Sequence, residues 1–350
     1  MTDKFLFAAL VCASFALTTV FAEVPAPNLA LDVYAKPGEL VAIGNGKRLN
    51  LRCSGSGSPT VVLESGAITD SMTWSDVQPL LAKTFRVCSY DRAGYGFSEG
   101  TATAPYIEST AKDLHALLQA AKIARPVVLV GHSLGTNIVR EYASRYPTDV
   151  SAIVLLDPPA QNFEGVSAEK REVVDKQNAA MMESIAGCGR KAAKNPPELE
   201  GCLRPPNPKF SDALNAAQRA SKSRPSFWES IGNALRAGRA LDREPVPATE
   251  THGAIPLLIL QPDNPFDDEP PEDRPMIEMA RIKTQKAIAA TSTRGEIIPV
   301  AHSSHDVQVD QPQIVVDTVK KAAGLVGEVK KTAGSRGTPQ SKPSMNTGSG

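Results

Sequence analysis

The sequence predicts an α/β fold: a mostly parallel sheet interrupted once by a helical insertion. Three observations carry this. Short apolar runs rich in β-branched residues alternate with stretches of helical period from about residue 40 to 156. The same alternation resumes at about residue 255 and ends near residue 331. Between them, residues 159–253 hold charged residues, proline breaks and helical patches but no strand pattern.

The elements follow in order. Leu40-Val41-Ala42-Ile43, then Asn45-Gly46, then residues 48–53 read as a hairpin, because Asn-Gly favours a type I′ turn. Val61-Val62-Leu63 is a short buried strand. Residues 72–83 form a helix with Trp74, Val77, Leu80 and Leu81 at helical spacing. Residues 85–90 give the next strand and 107–121 a helix with Leu114, Leu117 and Leu118 inward. Residues 127–130 are a strand, followed by a glycine-rich turn and a helix to Tyr146; 153–156 is another strand. In the insertion, 211–220 and 227–241 read as helices. A strand at 255–260, a helix at about 273–290, a strand at 296–300 and a helix at 313–331 complete the pattern.

The 350 residues suffice for a large core, and their organisation divides as follows. Residues 1–22 read as a secretory signal, with Lys4, an apolar run from Phe5 to Phe21, and a small residue, Ala22, before the cut. The run contains Ser14, Thr18 and Thr19 and falls short of about 20 apolar residues, so a cleaved signal fits better than an anchor. No later stretch spans a bilayer, so no stable membrane span remains after cleavage, and the protein is expected to be secreted or periplasmic. Residues 23–38 read as an extended leader, 39–158 as the first part of the core, 159–253 as a cap, and 254–331 as the second part. Residues 332–350, made of Gly, Ser, Pro, Lys and Thr, are expected to be disordered.

Charge and cysteines narrow the field. With 38 basic and 38 acidic side chains, there is no electrostatic footprint for nucleic acid. No repeat with a period of roughly 20–50 residues is visible. No Gly-rich loop ends in Lys-Ser/Thr, no His/Cys/Asp cluster has metal-ligand spacing, and the glycines at 94, 96 and 100 miss the dinucleotide spacing, so no metal or other cofactor is expected. Cys12 leaves with the signal; Cys53, Cys88, Cys188 and Cys202 remain, an even number that suggests two disulfides. Arithmetic alone permits three pairings.

Gly131-His132-Ser133-Leu134-Gly135 fits G-x-S-x-G, between an apolar strand and a helix. A nucleophile on so sharp a turn needs small neighbours, and the helix N-terminus offers the amide of Leu134 to a developing oxyanion. Three further segments accompany the motif: Val61-Val62-Leu63-Glu64-Ser65-Gly66, Tyr90-Asp91-Arg92-Ala93-Gly94-Tyr95-Gly96-Phe97-Ser98, and His305-Asp306-Val307-Gln308-Val309-Asp310-Gln311-Pro312. In this order the set resembles the α/β-hydrolase superfamily over most of residues 40–325. The resemblance implies a doubly wound sheet of eight-stranded type with a helical cap. It also implies a second oxyanion donor just past Gly66, the amide of Ala67.

A serine nucleophile needs a base, and the base an orienting acid. His115 reads as a helix surface residue, His132 as pointing away from the nucleophile, and His252 as closing the insertion. Chain order Ser…acid…His leaves His302 and His305; the resemblance favours His305 through its spacing to Gln311-Pro312. The acid stays open. Asp157 after the presumed sixth strand is preferred, and Asp263 after the seventh is the alternative. A common seventh-strand pattern puts its acid where Pro265 stands; Asp267 and Asp268 lie further along. Asp91 and Arg92 read as a local ion pair or turn-stabilising group beneath the site.

The resemblance also implies that the second strand lies beside the fourth, which pairs Cys53 with Cys88. Cys188 and Cys202 then close a segment within the insertion. The expected function is an exported, cofactor-free serine hydrolase acting on a small-molecule acyl substrate, first a carboxylic ester. A proline-iminopeptidase-like peptidase is the alternative enzyme, and a non-catalytic binding protein the alternative of another class. Phe227, Trp228 and the Met181-Met182 pair either line a pocket or pack. Oligomeric state is not legible.

Overall fold

A computed structural model describes residues 28–163, 168–194, 199, 201–266 and 271–334. The signal at 1–22, Asp267 and Asp268, and the tail beyond Gly334 lie outside these residues.

Eight strands form one sheet: β1 (Glu39–Gly44), β2 (Lys47–Ser54), β3 (Val61–Glu64), β4 (Val87–Tyr90), β5 (Val127–His132), β6 (Val150–Leu156), β7 (Leu257–Pro262) and β8 (Gly295–Val300). Their spatial order is β1-β2-β4-β3-β5-β6-β7-β8. The β1–β2 hairpin turns at Asn45 and Gly46, both with left-handed φ (51° and 71°), as a type I′ turn requires. β2 pairs antiparallel with β4, and every pairing from there on is parallel. β3 to β6 are buried along their whole length, which explains their unbroken apolar runs.

The helices are α1 (Gln78–Leu81), α2 (Tyr106–Ala120), α3 (Gly135–Arg145), α4 (Ala168–Lys194), α5 (Asp212–Lys222), α6 (Pro225–Leu241), α7 (Arg274–Ala290), α8 (Val307–Asp310) and α9 (Pro312–Gly334). One face of the sheet packs Leu129, Ile153 and Ile259 against Leu114 and Leu118 of α2, Ile138 of α3 and Ile288 of α7. The other packs Val130, Val154 and Leu258 against Leu81 of α1 and Val315 and Val319 of α9. With helices on both faces the sheet is doubly wound.

Two expectations are corrected. Residues 72–83 are not one helix: a 3₁₀ turn, Ser71–Trp74, capped by Asp70, is followed by α1, with Pro79 in its first turn. Proline lacks the amide needed to continue a helix but fits the start of a new one. The leader is not extended throughout. Leu29–Ala35 is a 3₁₀ segment that Asn28 caps, and it docks on the insertion through Ser211, whose hydroxyl donates to Asp32 at 2.6 Å.

Between β6 and β7 stand α4, α5 and α6. This helical block is tied to the loop after β4: Asn233 donates to the Ala102 carbonyl at 2.8 Å, Ser230 accepts from the Ala102 amide at 3.0 Å, and Arg224 donates to the Ser98 carbonyl at 2.7 Å. Cys188 and Cys202 are bonded within the block. Cys53 and Cys88 face each other across β2 and β4 and are bonded as well.

Candidate active site

The parallel register brings the carboxyl ends of β5, β6 and β7 to one edge, where sites of open α/β sheets lie: His132 is level with Leu156, and Leu156 with Leu260. The ladder continues one step past each strand. The amide of Ser133 donates to the Leu156 carbonyl and that of Asp157 to the Leu260 carbonyl, each at 3.0 Å. Ser133 and Asp157 therefore leave adjacent strands side by side. Both have left-handed φ, 52° and 42°, a conformation that costs a non-glycine residue about 1 kcal/mol or more.

The glycines around Ser133 answer to close approach. A Cβ on Gly131 would sit 2.8 Å from the Gly135 carbonyl oxygen, and one on Gly135 would run into the Ser65 carbonyl. α3 starts at Gly135, and the Thr136 amide donates to the Ser133 carbonyl at 2.9 Å. Gly66 lies against the same turn: a Cβ there would be 3.1 Å from Nδ1 of His132 and 3.4 Å from Cβ of Ser133. Neither the Leu134 nor the Ala67 amide makes a hydrogen bond among the described residues.

Arg92 holds the loop after β3. Its guanidinium, 2% exposed, pairs with Glu64 at 3.1 Å, donates to the carbonyls of Ser65 at 2.8 Å and Thr69 at 3.2 Å, and also to that of Gly66. Tyr95 donates its hydroxyl to the Ala67 carbonyl at 2.7 Å. Burial pushes the Glu64 carboxyl up, against the pull of Arg92 and the Tyr90 hydroxyl. Asp91 and Arg92 thus do not form the ion pair suggested by their adjacency. Asp91 accepts from Asn50 at 2.8 Å and from the amides of Ser71 and Phe97, each at 2.9 Å, and stabilises the turn.

His305 stands in the loop between β8 and α8. Its Nδ1 donates to Oδ2 of Asp157 at 2.7 Å. Its side chain is 40% exposed, that of Asp157 only 3%. Burial works to lower His305, but the Asp157 hydrogen bond and charge outweigh it, so the imidazole is raised above its ordinary value. Asp263, the alternative acid, is engaged elsewhere: its carboxylate accepts the amides of His302 at 3.0 Å and Ser303 at 3.1 Å, which hold it below the usual carboxylate range. His302 is thereby fixed through its main chain. His115 stacks on Tyr146 at 3.7 Å and His252 meets Glu250 at 3.1 Å.

Two features had no sequence signal. His132 does not simply point away. Its buried ring lies 4.7 Å from that of His305, and its Nε2 donates to the His305 carbonyl at 3.0 Å. Burial and the neighbouring His305 lower it to about 3, so it stays neutral. Behind Asp157, Arg281 of α7 donates to Oδ1 at 3.0 Å and Gln285, one turn on, at 3.1 Å.

α6 lies above the serine turn: a Cβ on Gly238 would be 3.8 Å from Cδ1 of Leu134, and Ala234 packs in the same cluster as Leu134. Phe227 is packing, edge-on to Tyr95 at 5.8 Å. Met182 and Trp228 line a separate groove of about 380 Å³ between α4 and α6. Among the described residues no cluster of His, Cys, Asp or Glu fits a metal ion, and no helix is long and apolar enough to cross a membrane.

The chain has the α/β-hydrolase fold: residues 59–186 match the alpha/beta hydrolase fold family, and the sheet order and helical layers are those of that fold. A Gibberella zeae protein described as an AB hydrolase superfamily protein is 25% identical over 289 residues, 77% of this chain and 87% of its own. The 2-hydroxy-6-oxo-2,4-heptadienoate hydrolase of Pseudomonas putida is 32% identical over 136 residues, 38% of this chain; that stretch is only 49% of the Pseudomonas enzyme. A thermophilic esterase from Thermogutta terrifontis shares the fold, with a TM-score of 0.54 and 19% identity, covering 83% of this chain and 99% of that one.

Proposed function

We propose that the protein is a serine hydrolase that cleaves a carboxylic ester through an acyl-enzyme on Ser133. The observation that carries this reading is the 2.7 Å bond from His305 Nδ1 to Asp157 at the strand edge from which the Ser133 turn also rises. In this reading Ser133 Oγ attacks the acyl carbon as His305 Nε2 takes its proton. The oxyanion accepts from the amides of Leu134 and Ala67, a pair of donors that in such sites contribute about 3–4 kcal/mol each. His305, now charged and held by Asp157, protonates the leaving oxygen. Water then attacks the acyl-enzyme with His305 as base, releasing the acid and restoring Ser133. Because Nδ1–H of His305 donates its hydrogen bond to Oδ2 of Asp157, Nε2 is left as the acceptor this sequence needs.

α6 over Leu134 supports a substrate-selecting role for the helical block. Two disulfides fit an oxidising compartment and, with the apolar run at 5–21, support export. The test is hydrolysis of p-nitrophenyl esters of graded acyl length beside aminoacyl anilides, with Ser133→Ala as control. Esters should be cleaved, and the variant should lose roughly 10³-fold or more. Preferential cleavage of the anilides favours a peptidase; no cleavage of either by a protein inert to acylating reagents favours a binding protein.

A further inference from the structure

The site contains one charged group that the reaction does not use and that sequence periodicity marks as an ordinary helix residue. Arg281 is 2% exposed although it lies in the middle of a surface helix. A guanidinium is taken out of water at high cost unless every donor is engaged. Here Nη1 donates to Oδ1 of Asp157 at 3.0 Å, Nη2 to the Pro262 carbonyl at 3.2 Å, and Nε and Nη2 to the two oxygens of Glu278, each at 2.7 Å. Gln285 fills the remaining position on Oδ1 at 3.1 Å and is itself held, through Oε1, by Gln261 at 2.7 Å. Oδ1 is thus saturated from α7, and Oδ2 alone faces His305.

We propose that Arg281, backed by Glu278, is a positioning residue that fixes the Asp157 carboxylate with Oδ2 toward His305 and sets how much negative charge the imidazole faces. This deepens the serine-hydrolase reading and rests on it. The chain of charges runs Glu278, Arg281, Asp157, His305, alternating in sign once the imidazole is protonated. A cation behind Asp157 offsets part of its pull on an imidazolium; the Glu278 carboxylate, 37% exposed, offsets part of that cation in turn. The other groups facing His305 are Asp306 in its own loop, which raises it, and His132 of β5, which stays neutral. Removing Arg281 and removing Glu278 therefore have opposite effects on one titration. A packing role for either residue produces no such pair of signs.

The experiment is the titration of the His305 ring by nuclear magnetic resonance of histidine-labelled protein, the signal assigned by its loss in His305→Gln. Arg281→Met should move the midpoint up by about half a pH unit or more, and Glu278→Gln should move it down. Arg281→Lys, which keeps the charge without the fork, should return it close to the native value. Shifts of the same sign in Arg281→Met and Glu278→Gln, no shift in either, or an Arg281→Lys midpoint as displaced as that of Arg281→Met, overturn the proposal. Should Arg281→Met not fold, the half-exposed Glu278 decides alone: a midpoint that stays or rises in Glu278→Gln contradicts the inference. The titration needs no substrate. A protein that shows these shifts yet never acylates Ser133 keeps this inference and loses the proposed hydrolysis.

Discussion

Nε2 of His132 lies 3.0 Å from the main-chain oxygen of His305, so the residue before the serine turn holds the backbone of the imidazole across the site. A carbonyl only accepts, so His132 carries its proton on Nε2. Its buried Nδ1 has no partner among the described residues. The folded chain therefore resists protonation there down to about pH 3, whereas the unfolded chain takes up a proton near 6.5. Between those values the unfolded state binds more protons, and stability falls as pH falls. From pH 7 to pH 5 this one group should remove about 2 kcal/mol. Urea unfolding of His132→Asn, which keeps a donor but does not titrate, should lack that increment whatever its stability at pH 7. Equal pH slopes in the two proteins would refute the assignment.

Asp157 and Asp263 are separated by one pair of substitutions. Asp157→Asn removes the acceptor that fixes the His305 tautomer and should cost about 10³–10⁴ in kcat. Asp263→Asn weakens two amide contacts of the 302–303 turn and should stay within about tenfold, with a stability loss of about 1–2 kcal/mol. Steady-state rates on one ester decide; a larger loss from Asp263→Asn reverses the roles.

Arg92 holds up the loop that carries Ala67. Arg92→Met leaves Glu64 buried without its cation and should cost about 3–5 kcal/mol in chemical denaturation, with a matching loss of rate as the loop relaxes. A cost under about 1 kcal/mol would show that the loop carbonyls do not depend on it.

The disulfides close segments with sequence separations of 35 and 14. Removing the Cys188–Cys202 pair by a double Ser substitution should cost about 3 kcal/mol, and the Cys53–Cys88 pair about 4 kcal/mol, on the chain-entropy view. Non-reducing peptide maps and melting curves with and without reductant check this. Four reactive thiols in the untreated protein contradict it.

What was legible in the sequence was local or strictly ordered. The serine turn has a fingerprint because Gly131 touches the backbone of Gly135 four residues on, while Gly135 in turn lies against the Ser65 carbonyl of the loop after β3. The hairpin at Asn45-Gly46 is legible because left-handed φ demands those residues. Asp157 is only half legible, since which aspartate reaches His305 depends on how far apart strand ends finish, and β6 and β7 are each followed by one. The contacts that support the site from across the chain carry no sequence signal. The His132–His305 contact joins residues 173 apart and Arg281–Asp157 joins residues 124 apart. An arginine in a surface helix carries no mark of burial. The leader carries no periodic signal for its short 3₁₀ segment, which is stabilised by Asn28 and by docking on Ser211.

The most direct measurement is reaction of the purified protein with a fluorophosphonate, followed by mass spectrometry of its peptides at stoichiometric labelling. One phosphonyl group should appear on Ser133, be absent in Ser133→Ala, and form at least about 10³-fold more slowly in His305→Ala. A label on another serine, or a rate indifferent to His305, contradicts the account.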